Sequence, residues 1–389
     1  MHDYDEMLDW LYGLRVFGMK PGLERISEAM EKLGNPQNKL KIIHVTGTNG
    51  KGSVCAMIDS ILEKSGFNVG LFTSPHLVDF RERLQVNRKK ISKHDAMRIT
   101  EMIKKTNTEL TFFEFTTAMA LQYFYEQKVD YAVIEVGMGG RYDATNIVKP
   151  VATVITNLSM DHTDWLGETL DKITHEKAGI VKEGVPLFTT ADNEVIKQAC
   201  KEKNAQFVFV SDEEDNRMNG AFQRKNAALA AAVARHLHVK EEKIREGLAS
   251  VQWPARLEFI EKNVLLDCCH NTDGVEKATE FVKMLKHRKL IIVFGVMKNK
   301  DYKGMISRLP EHSKIILTRP KIERSLNPME MKNLCKDPMI IENAGEAYEY
   351  AKSIAGSDDL ILLCGSCYLA GEIIAHINKI DVHPLMFVQ

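Results

Sequence analysis

The residues best placed to do chemistry begin where an apolar run ends. Ile42-Ile43-His44-Val45-Thr46 leads into Gly47-Thr48-Asn49-Gly50-Lys51-Gly52-Ser53, and an amphipathic stretch follows. Glycines let the backbone turn so that several N–H groups converge on one anion. A helix N-terminus adds positive potential at the same point. Lys51 would then reach the β- and γ-phosphates of a nucleotide. The strict phosphate-loop pattern is not met, because its first glycine position holds Val45 and the position after the lysine holds Gly52 instead of Ser or Thr. A glycine-rich turn without a ligand is the plain alternative, but strand, loop, lysine and helix in this order favour nucleotide binding. Gly52 has no hydroxyl, so a magnesium ion would need one from elsewhere. Ser53 is one candidate, and Ser74, in Thr73-Ser74-Pro75-His76-Leu77 after a strand expected at Val69 to Phe72, is another. Ligands of α/β sheets gather at the carboxyl ends of strands, so both loops would open on the same side.

Glu135 lies near the carboxyl end of an apolar strand expected from Tyr131 to Val136. A buried carboxylate needs a partner or a cation, and magnesium prefers such oxygen ligands. The bland alternative is an ion pair with Arg141. A strand expected from Val151 to Asn157 runs into Leu158-Ser159-Met160-Asp161-His162. His162 would thus reach the same edge and, combined with Glu135, becomes a candidate metal ligand. Leu170, Ile173 and Lys177 recur at i, i+3 and i+7, which puts the lysine on the apolar face of a helix. An inward lysine is costly unless paired or neutralised, and Glu135 or Asp161 could pair with it. One straight helix from 163 to 177 would hold Lys177 roughly 20 Å from His162, so the helix is expected to start after Gly167 with Thr169 as its cap. Arg81, Arg83, Arg88, Lys89 and Lys90 form a basic stretch that reads as a solvated loop or as a steering field for an acidic substrate.

The elements that must position these groups alternate between apolar runs and amphipathic helices, as in an α/β fold with a mainly parallel sheet. Lys41 to Thr46 reads as a buried strand and Gly52 to Ser65 as the helix behind the glycine-rich loop. The character changes at Trp253-Pro254-Ala255-Arg256, after which Val264 to Cys268 reads as strand, Gly274 to Leu285 as helix and Leu290 to Val296 as strand. At 389 residues and 44% hydrophobic composition the chain suits two cores. The expected division is 1–253, a P-loop domain with a mainly parallel sheet, and 254–389, a smaller Rossmann-like domain. A net charge of -1 gives no general pull toward nucleic acid or membrane. No apolar run approaches the roughly 20 residues of a membrane span, and the acidic start Met1-His2-Asp3-Tyr4-Asp5-Glu6 lacks a signal pattern. Seven cysteines, an odd count, fit reduced thiols in a cytoplasm. Cys364-Gly-Ser-Cys367 and Cys268-Cys269 lack a second CxxC or a paired histidine, so they read as buried small hydrophobes before a redox or zinc role. A cytoplasmic monomer that binds small molecules, without nucleic-acid or membrane partners, is the expectation.

Taken together, Gly47-Thr-Asn-Gly-Lys-Gly-Ser53, Ser74-Pro-His-Leu77, Glu135-Val-Gly-Met-Gly-Gly-Arg141, Asp143-Ala-Thr-Asn146, Asp161-His162 and Glu176-Lys-Ala-Gly-Ile180 resemble folylpolyglutamate synthase and dihydrofolate synthase, of the Mur ligase superfamily. The likeness continues through Phe222-Gln223 with Asn226-Ala227, Trp253-Pro-Ala-Arg-Leu-Glu258, Asp267-Cys-Cys-His-Asn271 and Gly365-Ser-Cys-Tyr-Leu-Ala-Gly-Glu372. The resemblance implies an active site in a cleft between two domains. It implies that Ser74, Glu135 and His162 bind magnesium, with two ions in all, and that Asn226, Arg256 and Asp267 contact ATP together with the loop Gly47–Ser53. It places His270 and Ser366 near the glutamate, and Asp143 with the Ser74 to Arg83 loop, Arg81 included, at the pterin substrate. It also implies that carbon dioxide adds to a neutral Lys177 amine, giving a carbamate ligand for the second ion; desolvation would supply that neutral amine. Lys51, Lys177 and His270 are then the catalytic set. The family usually has Gly at Ala255, Gly-Ala at Cys268-Cys269 and Leu at Cys367, and Gly18-Met-Lys-Pro-Gly-Leu-Glu-Arg25 matches its folate-binding part only loosely.

The implied reaction is ATP-dependent ligation of L-glutamate to a folate or dihydropteroate carboxylate through an acyl phosphate, releasing ADP and phosphate. Phosphorylation supplies the leaving group that a carboxylate lacks. Lys51, magnesium and Arg256 would screen the charge of the gathered polyanions. The alternatives are a Mur-type ligase acting on a non-folate pterin or a cell-wall nucleotide, and a nucleotide-binding regulatory module without activity.

Overall fold

The computed structural model describes residues 3–14 and 21–383. Met1 and His2 of the acidic start, and Gly18 to Lys20 of the loosely matching N-terminal stretch, lie outside the described residues. The chain separates into two compact units. The first comprises Met1–His76, Arg81–Arg217 and Gln223–Gln252, and the second comprises Leu77–Phe80, Met218–Phe222 and Trp253–Gln389. Two short segments that precede Trp253 in the chain are thus counted with the second unit.

The first unit is built on eight strands: β1 Ile42–Thr46, β2 Val69–Phe72, β3 Leu84–Val86, β4 Lys89–Lys90, β5 Tyr131–Glu135, β6 Pro150–Ile155, β7 Leu187–Thr189 and β8 Phe207–Phe209. They lie in the order β4-β3-β2-β5-β1-β6-β7-β8. Pairing is parallel from β2 to β8, and β3 and β4 add an antiparallel edge. β1 is buried along its whole length between β5 and β6, which is why it reads as a continuous apolar run instead of an alternating one. Register sets Val45 opposite Glu135 on one side and opposite Val154 on the other. The helix Lys51–Lys64 follows β1 and is buried without a break from Gly52 to Leu62. It packs on the helix Glu241–Ser250, where Gly247 is essential for the approach: a Cβ there would lie 2.5 Å from Ile61 Cα. Ser60 Oγ donates to the carbonyl of the same glycine at 2.6 Å.

The second unit carries six strands: β9 Glu258–Glu261, β10 Val264–Leu266, β11 Leu290–Phe294, β12 Lys314–Arg319, β13 Met339–Asn343 and β14 Leu360–Cys364. Their order is β13-β12-β11-β14-β10-β9, parallel except for β9. One apolar cluster covers each face of this sheet, the first around Leu265, Ile292, Phe294 and Leu362, the second around Leu266, Val293, Tyr348 and Leu363. The fold is therefore α/β with two mostly parallel sheets. Several strands stop short of their apolar runs. β5 ends at Glu135, β6 at Ile155 and β10 at Leu266, and the residues just beyond turn away to serve the loops described next.

Candidate active site

The glycine-rich loop is held from three sides. Gly47 has φ +148°, and a Cβ there would fall 1.9 Å from Thr156 Oγ1, so the threonine hydroxyl occupies the space that any side chain at 47 would need. The same hydroxyl donates to the Asn49 carbonyl at 2.6 Å. Thr48 N–H donates to the Asn157 carbonyl at 3.0 Å, and Asn49 N–H to Asn157 Oδ1 at 2.7 Å. The Thr48 hydroxyl donates to the Ser159 carbonyl and accepts from Ser159 N–H. Gly50, at φ +83°, caps the helix Lys51–Lys64, and Asn226 lies against it: a Cβ at Gly50 would be 2.8 Å from Asn226 Oδ1. Asn226 is itself positioned by Gln223 at 2.9 Å, and Gln223 donates to Ser53 Oγ at 3.3 Å. Thr156, Asn157 and Ser159 are the residues that sequence reasoning missed. The one signal they leave is the polar run that follows an apolar strand.

Lys51 bends back over the loop and donates to the carbonyls of Gly47, at 3.1 Å, and Thr48, at 3.2 Å. Lys177 reaches the same place from the helix Leu170–Ala178, donating to the Gly47 carbonyl at 2.9 Å. Thr169 caps that helix through Lys172 N–H, and a separate short helix, Thr163–Leu166, precedes it. The start is as the spacing requires, but the proposed apolar stripe is not. Leu170 is 40% exposed while Ile173 and Lys177 are buried, because the first turn faces outward. Nor does the lysine meet a carboxylate of Glu135 or Asp161 as its hydrogen-bond partner; the fold gives it a loop carbonyl. Burial, helped by the Lys51 charge and opposed by Asp161 and Asp143, lowers its pKa to about 7. A large share of the amine is therefore uncharged near neutral pH.

Glu135 is buried at the end of β5, and Ser74 N–H donates to its Oε2 at 3.0 Å. Arg141, the alternative partner, goes elsewhere: its Nε lies 3.7 Å from Glu176 and its Nη2 2.8 Å from His175. His162 adopts a left-handed conformation at φ +53°, and its backbone N–H donates to Asp161 Oδ1. Its ring Nε2 is 3.8 Å from Asp161 Oδ2. Among the described residues, no three His, Cys, Asp or Glu side chains converge as a cage for a metal. A cation held by Glu135 and the Ser74 hydroxyl would complete its shell with nucleotide oxygens and water, the habit of magnesium. Asp143 is buried and spoken for locally: Oδ1 accepts from Thr145 N–H at 3.0 Å and from its hydroxyl at 2.5 Å, and Oδ2 accepts from Met138 N–H at 3.0 Å. The Thr145 hydroxyl accepts in turn from His44 Nε2 at 2.8 Å. Burial drives the His44 pKa down to about 3, so the ring is neutral. The basic stretch disperses. Arg88 pairs with Asp59 and Glu63, Lys90 with Glu82, Arg83 donates to His76 Nδ1 at 2.7 Å, and Arg81 stands over the Tyr4 ring.

In the second unit, Asp267 follows β10 and accepts from Leu257 N–H at 2.8 Å and Cys269 N–H at 2.7 Å. Burial raises its pKa against the pull of Arg256 and of these hydrogen bonds. Arg256, partly buried, donates to the Ala255 carbonyl. His270 Nδ1 is 3.2 Å from the Cys268 carbonyl. Ser366 is buried and caps the helix Cys367–Ile377, its hydroxyl accepting from Tyr368 N–H at 3.1 Å. Arg256, Asp267, His270 and Ser366 are thus drawn toward one end of β10 and β14.

The middle-domain model of the Mur ligase family matches residues 45–250, and the family's glutamate ligase domain model matches 255–367. A Bacillus subtilis protein named dihydrofolate synthase/folylpolyglutamate synthase is 35% identical over 95% of this chain and 98% of its own length. Escherichia coli FolC, solved in complex with DHPP and ADP, superposes with a TM-score of 0.89 at 28% identity, covering 97% of this chain and 98% of that one. A bifunctional folylpolyglutamate synthase/dihydrofolate synthase solved with Mn, AMPPNP and L-glutamate bound gives 0.90 at 28% identity, again covering 97% and 98%.

Proposed function

The chain belongs to the Mur ligase family, in its dihydrofolate synthase/folylpolyglutamate synthase branch, and on that premise we propose how its residues carry out ATP-dependent addition of L-glutamate to a folate or dihydropteroate carboxylate. The observation that carries the reading is the meeting of Lys51 and Lys177 on the Gly47 carbonyl, in the loop that runs into the N-terminus of the helix Lys51–Lys64. When the nucleotide enters, Lys51 exchanges its loop carbonyls for β- and γ-phosphate oxygens. The near-neutral Lys177 amine is suited to carbamate formation, which converts it into an extended carboxylate. Ser74, Glu135, His162 and the Lys177 carbamate would hold two magnesium ions, which supply charge neutralisation of the phosphates.

The acceptor carboxylate attacks the γ-phosphorus and becomes an acyl phosphate. Arg256 stabilises the negative charge that develops, and Asn226 and Asp267 hold the nucleotide. His270 and Ser366 orient the glutamate so that its amine meets the acyl carbon, and expulsion of phosphate leaves the amide. Positioning of this kind contributes up to about 7–11 kcal/mol in ideal cases. Asp143, locked by Met138 N–H, Thr145 and His44, presents a rigid edge to the pterin, and Arg81 draws in the acidic tail. The alternative of an inactive regulatory module would need degraded phosphate-loop or ligand positions, and each of them holds a chemically competent residue. No helix among the described residues is long and apolar enough to cross a membrane, and all seven cysteines are free thiols. Both support a cytoplasmic enzyme of small molecules; monomer is the state proposed.

The test is phosphate release measured with dihydropteroate and with tetrahydrofolate, each with and without L-glutamate. One phosphate per amide, dependent on ATP, magnesium and glutamate together, is expected. ATP hydrolysis that ignores glutamate with both acceptors would refute the ligase reading.

A further inference from the structure

One face of β1 holds the loop between β5 and β6 at two points. Successive side chains of a strand point to opposite faces, so His44 and Thr46 share one. The Thr46 hydroxyl donates to the Gly139 carbonyl at 2.6 Å, and His44 Nε2 meets the Thr145 hydroxyl at 2.8 Å. Thr145 lies in the short turn Ala144–Ile147, which Asp143 caps by accepting from Thr145 N–H. His44 and Thr145 are wholly buried, whereas 9% of Asp143 still meets solvent. A chain of three side chains thus runs from the interior, at His44, to a carboxylate that a ligand can touch.

The protons in this chain can run only one way. Asp143 takes Thr145 N–H and the Thr145 hydroxyl on Oδ1, and Met138 N–H on Oδ2. Three donors on one carboxylate favour its ionised form, which only accepts, against the opposing pull of burial. The single proton of the Thr145 hydroxyl therefore goes to Asp143, and its oxygen must accept from His44. The ring carries one proton, since burial and the Lys182 charge hold its pKa at about 3, and that proton is consequently on Nε2. Nδ1 is left as a bare acceptor, buried and without a hydrogen-bond partner. An unmatched buried acceptor is destabilising, and an apolar residue like the neighbouring Ile43 or Val45 would avoid it. A ring kept there in spite of this has its use in Nε2.

We infer that His44 is a positioning residue for the acceptor substrate: its Nε2–H turns the Thr145 hydroxyl proton toward Asp143, which is thereby held in one orientation as a hydrogen-bond acceptor for a ring N–H or amino donor of a pterin. The inference rests on the reading that Asp143 meets the pterin. Without the His44 donor the Thr145 hydroxyl is free to rotate, and Asp143 Oδ1 loses its shortest hydrogen bond, the one of 2.5 Å, for part of the time. His44 is wholly buried and acts only through Thr145, so its effect falls on acceptor binding and not on the chemical step. It should appear in the acceptor KM with kcat little changed.

The experiment titrates the full-length chain with dihydropteroate in saturating ADP and, separately, with a non-hydrolysable ATP analogue. His44→Leu should weaken dihydropteroate binding at least about fivefold and leave the analogue within about twofold. His44→Gln, which keeps an amide N–H near the position of Nε2, should restore most of the affinity. Thr145→Val should weaken binding as His44→Leu does, and the double variant no more than either. Equal losses for dihydropteroate and the analogue would mark a merely structural residue and overturn the inference, as would additive losses or no rescue by glutamine. Asp143→Asn separates the inference from the reading beneath it. A loss there with none in His44→Leu overturns the inference alone, and no loss in Asp143→Asn overturns both. Nitrogen NMR of the wild-type chain with isotope-labelled histidine reads the tautomer directly, so it decides even if the variants do not fold. His44 protonated at Nε2 is expected, and protonation at Nδ1 overturns the inference.

Discussion

Thr156 lies outside every motif, yet the geometry makes it a keystone of the nucleotide site. Its hydroxyl fills the hollow beside Gly47 and donates to the Asn49 carbonyl at 2.6 Å, and the residue is almost wholly buried. Thr156→Val keeps the branched shape and removes the donor. The Asn49 carbonyl is then left without that partner, which costs about 1–3 kcal/mol. A methyl group, larger than a hydroxyl, also presses on the Gly47 backbone. Before nucleotide binds, the loop can relax toward water, so most of the cost falls on binding, which must restore the cradle. The expected result is a 5–150-fold loss of ATP affinity, the span that about 1–3 kcal/mol represents. Thr156→Ser retains the hydroxyl and should stay within about threefold of wild type. Isothermal titration with a non-hydrolysable ATP analogue measures both. If Thr156→Val binds the analogue as tightly as wild type, or Thr156→Ser binds as weakly as Thr156→Val, the hydroxyl does not organise the loop and the reasoning is wrong.

Lys177→Arg, which retains charge but cannot form a carbamate, should lower kcat by at least about 100-fold with the thermal transition little changed; a carbamate resonance from labelled bicarbonate, present in wild type and absent in the variant, checks the cause. The native amine is neutral above about 7 while the unfolded one stays protonated to its ordinary 10.5. Stability should therefore climb as pH rises through that window, and Lys177→Met should abolish the slope in denaturant titrations. Burial raises the Asp59 pKa to about 7 even though Arg88 stands 3.4 Å away, and Asp59 Oδ1 has no hydrogen-bond partner. The native state thus holds a proton that the unfolded chain releases, so stability should fall as pH rises from about 4 to 7, and Asp59→Asn should flatten that fall. Arg256→Ala should lower kcat/KM by about 10²–10³ while leaving the circular dichroism and melting curve unchanged, if its charge serves the phosphates; a large loss of thermal stability with normal turnover would make it structural.

What the sequence discloses and what it hides divide along physical lines. The strand β1, the loop Gly47–Ser53 and its helix are legible because a buried parallel strand, a turn that needs glycine and a helix start each leave a local mark. Thr169 as a helix cap was readable for the same reason. The partners of that loop were not. Thr156, Asn157 and Ser159 act through one or two hydrogen bonds each across more than a hundred residues of sequence, and an isolated polar residue after a strand has no periodicity to announce it. The inward stripe of Leu170, Ile173 and Lys177 went wrong at its first member because spacing identifies a helix face without saying which turn the rest of the fold covers.

The second unit shows why a functional residue and a structural one can be the same atom set. Asp267 resembles a nucleotide contact, but both its oxygens already accept backbone N–H groups that fix the turn after β10. Ser366 resembles an amino-acid contact, but its hydroxyl caps a helix. Each would meet a ligand only while it also holds the local backbone, Asp267 the turn that leads to His270 and Ser366 the helix that begins at Cys367. Replacing Asp267 by asparagine would turn one of the two acceptors into a donor facing an N–H group, a loss of about 1–3 kcal/mol paid by the turn itself. Asp267→Asn is therefore expected to lower thermal stability together with any effect on ligand binding, because the turn that its two oxygens hold leads directly into His270.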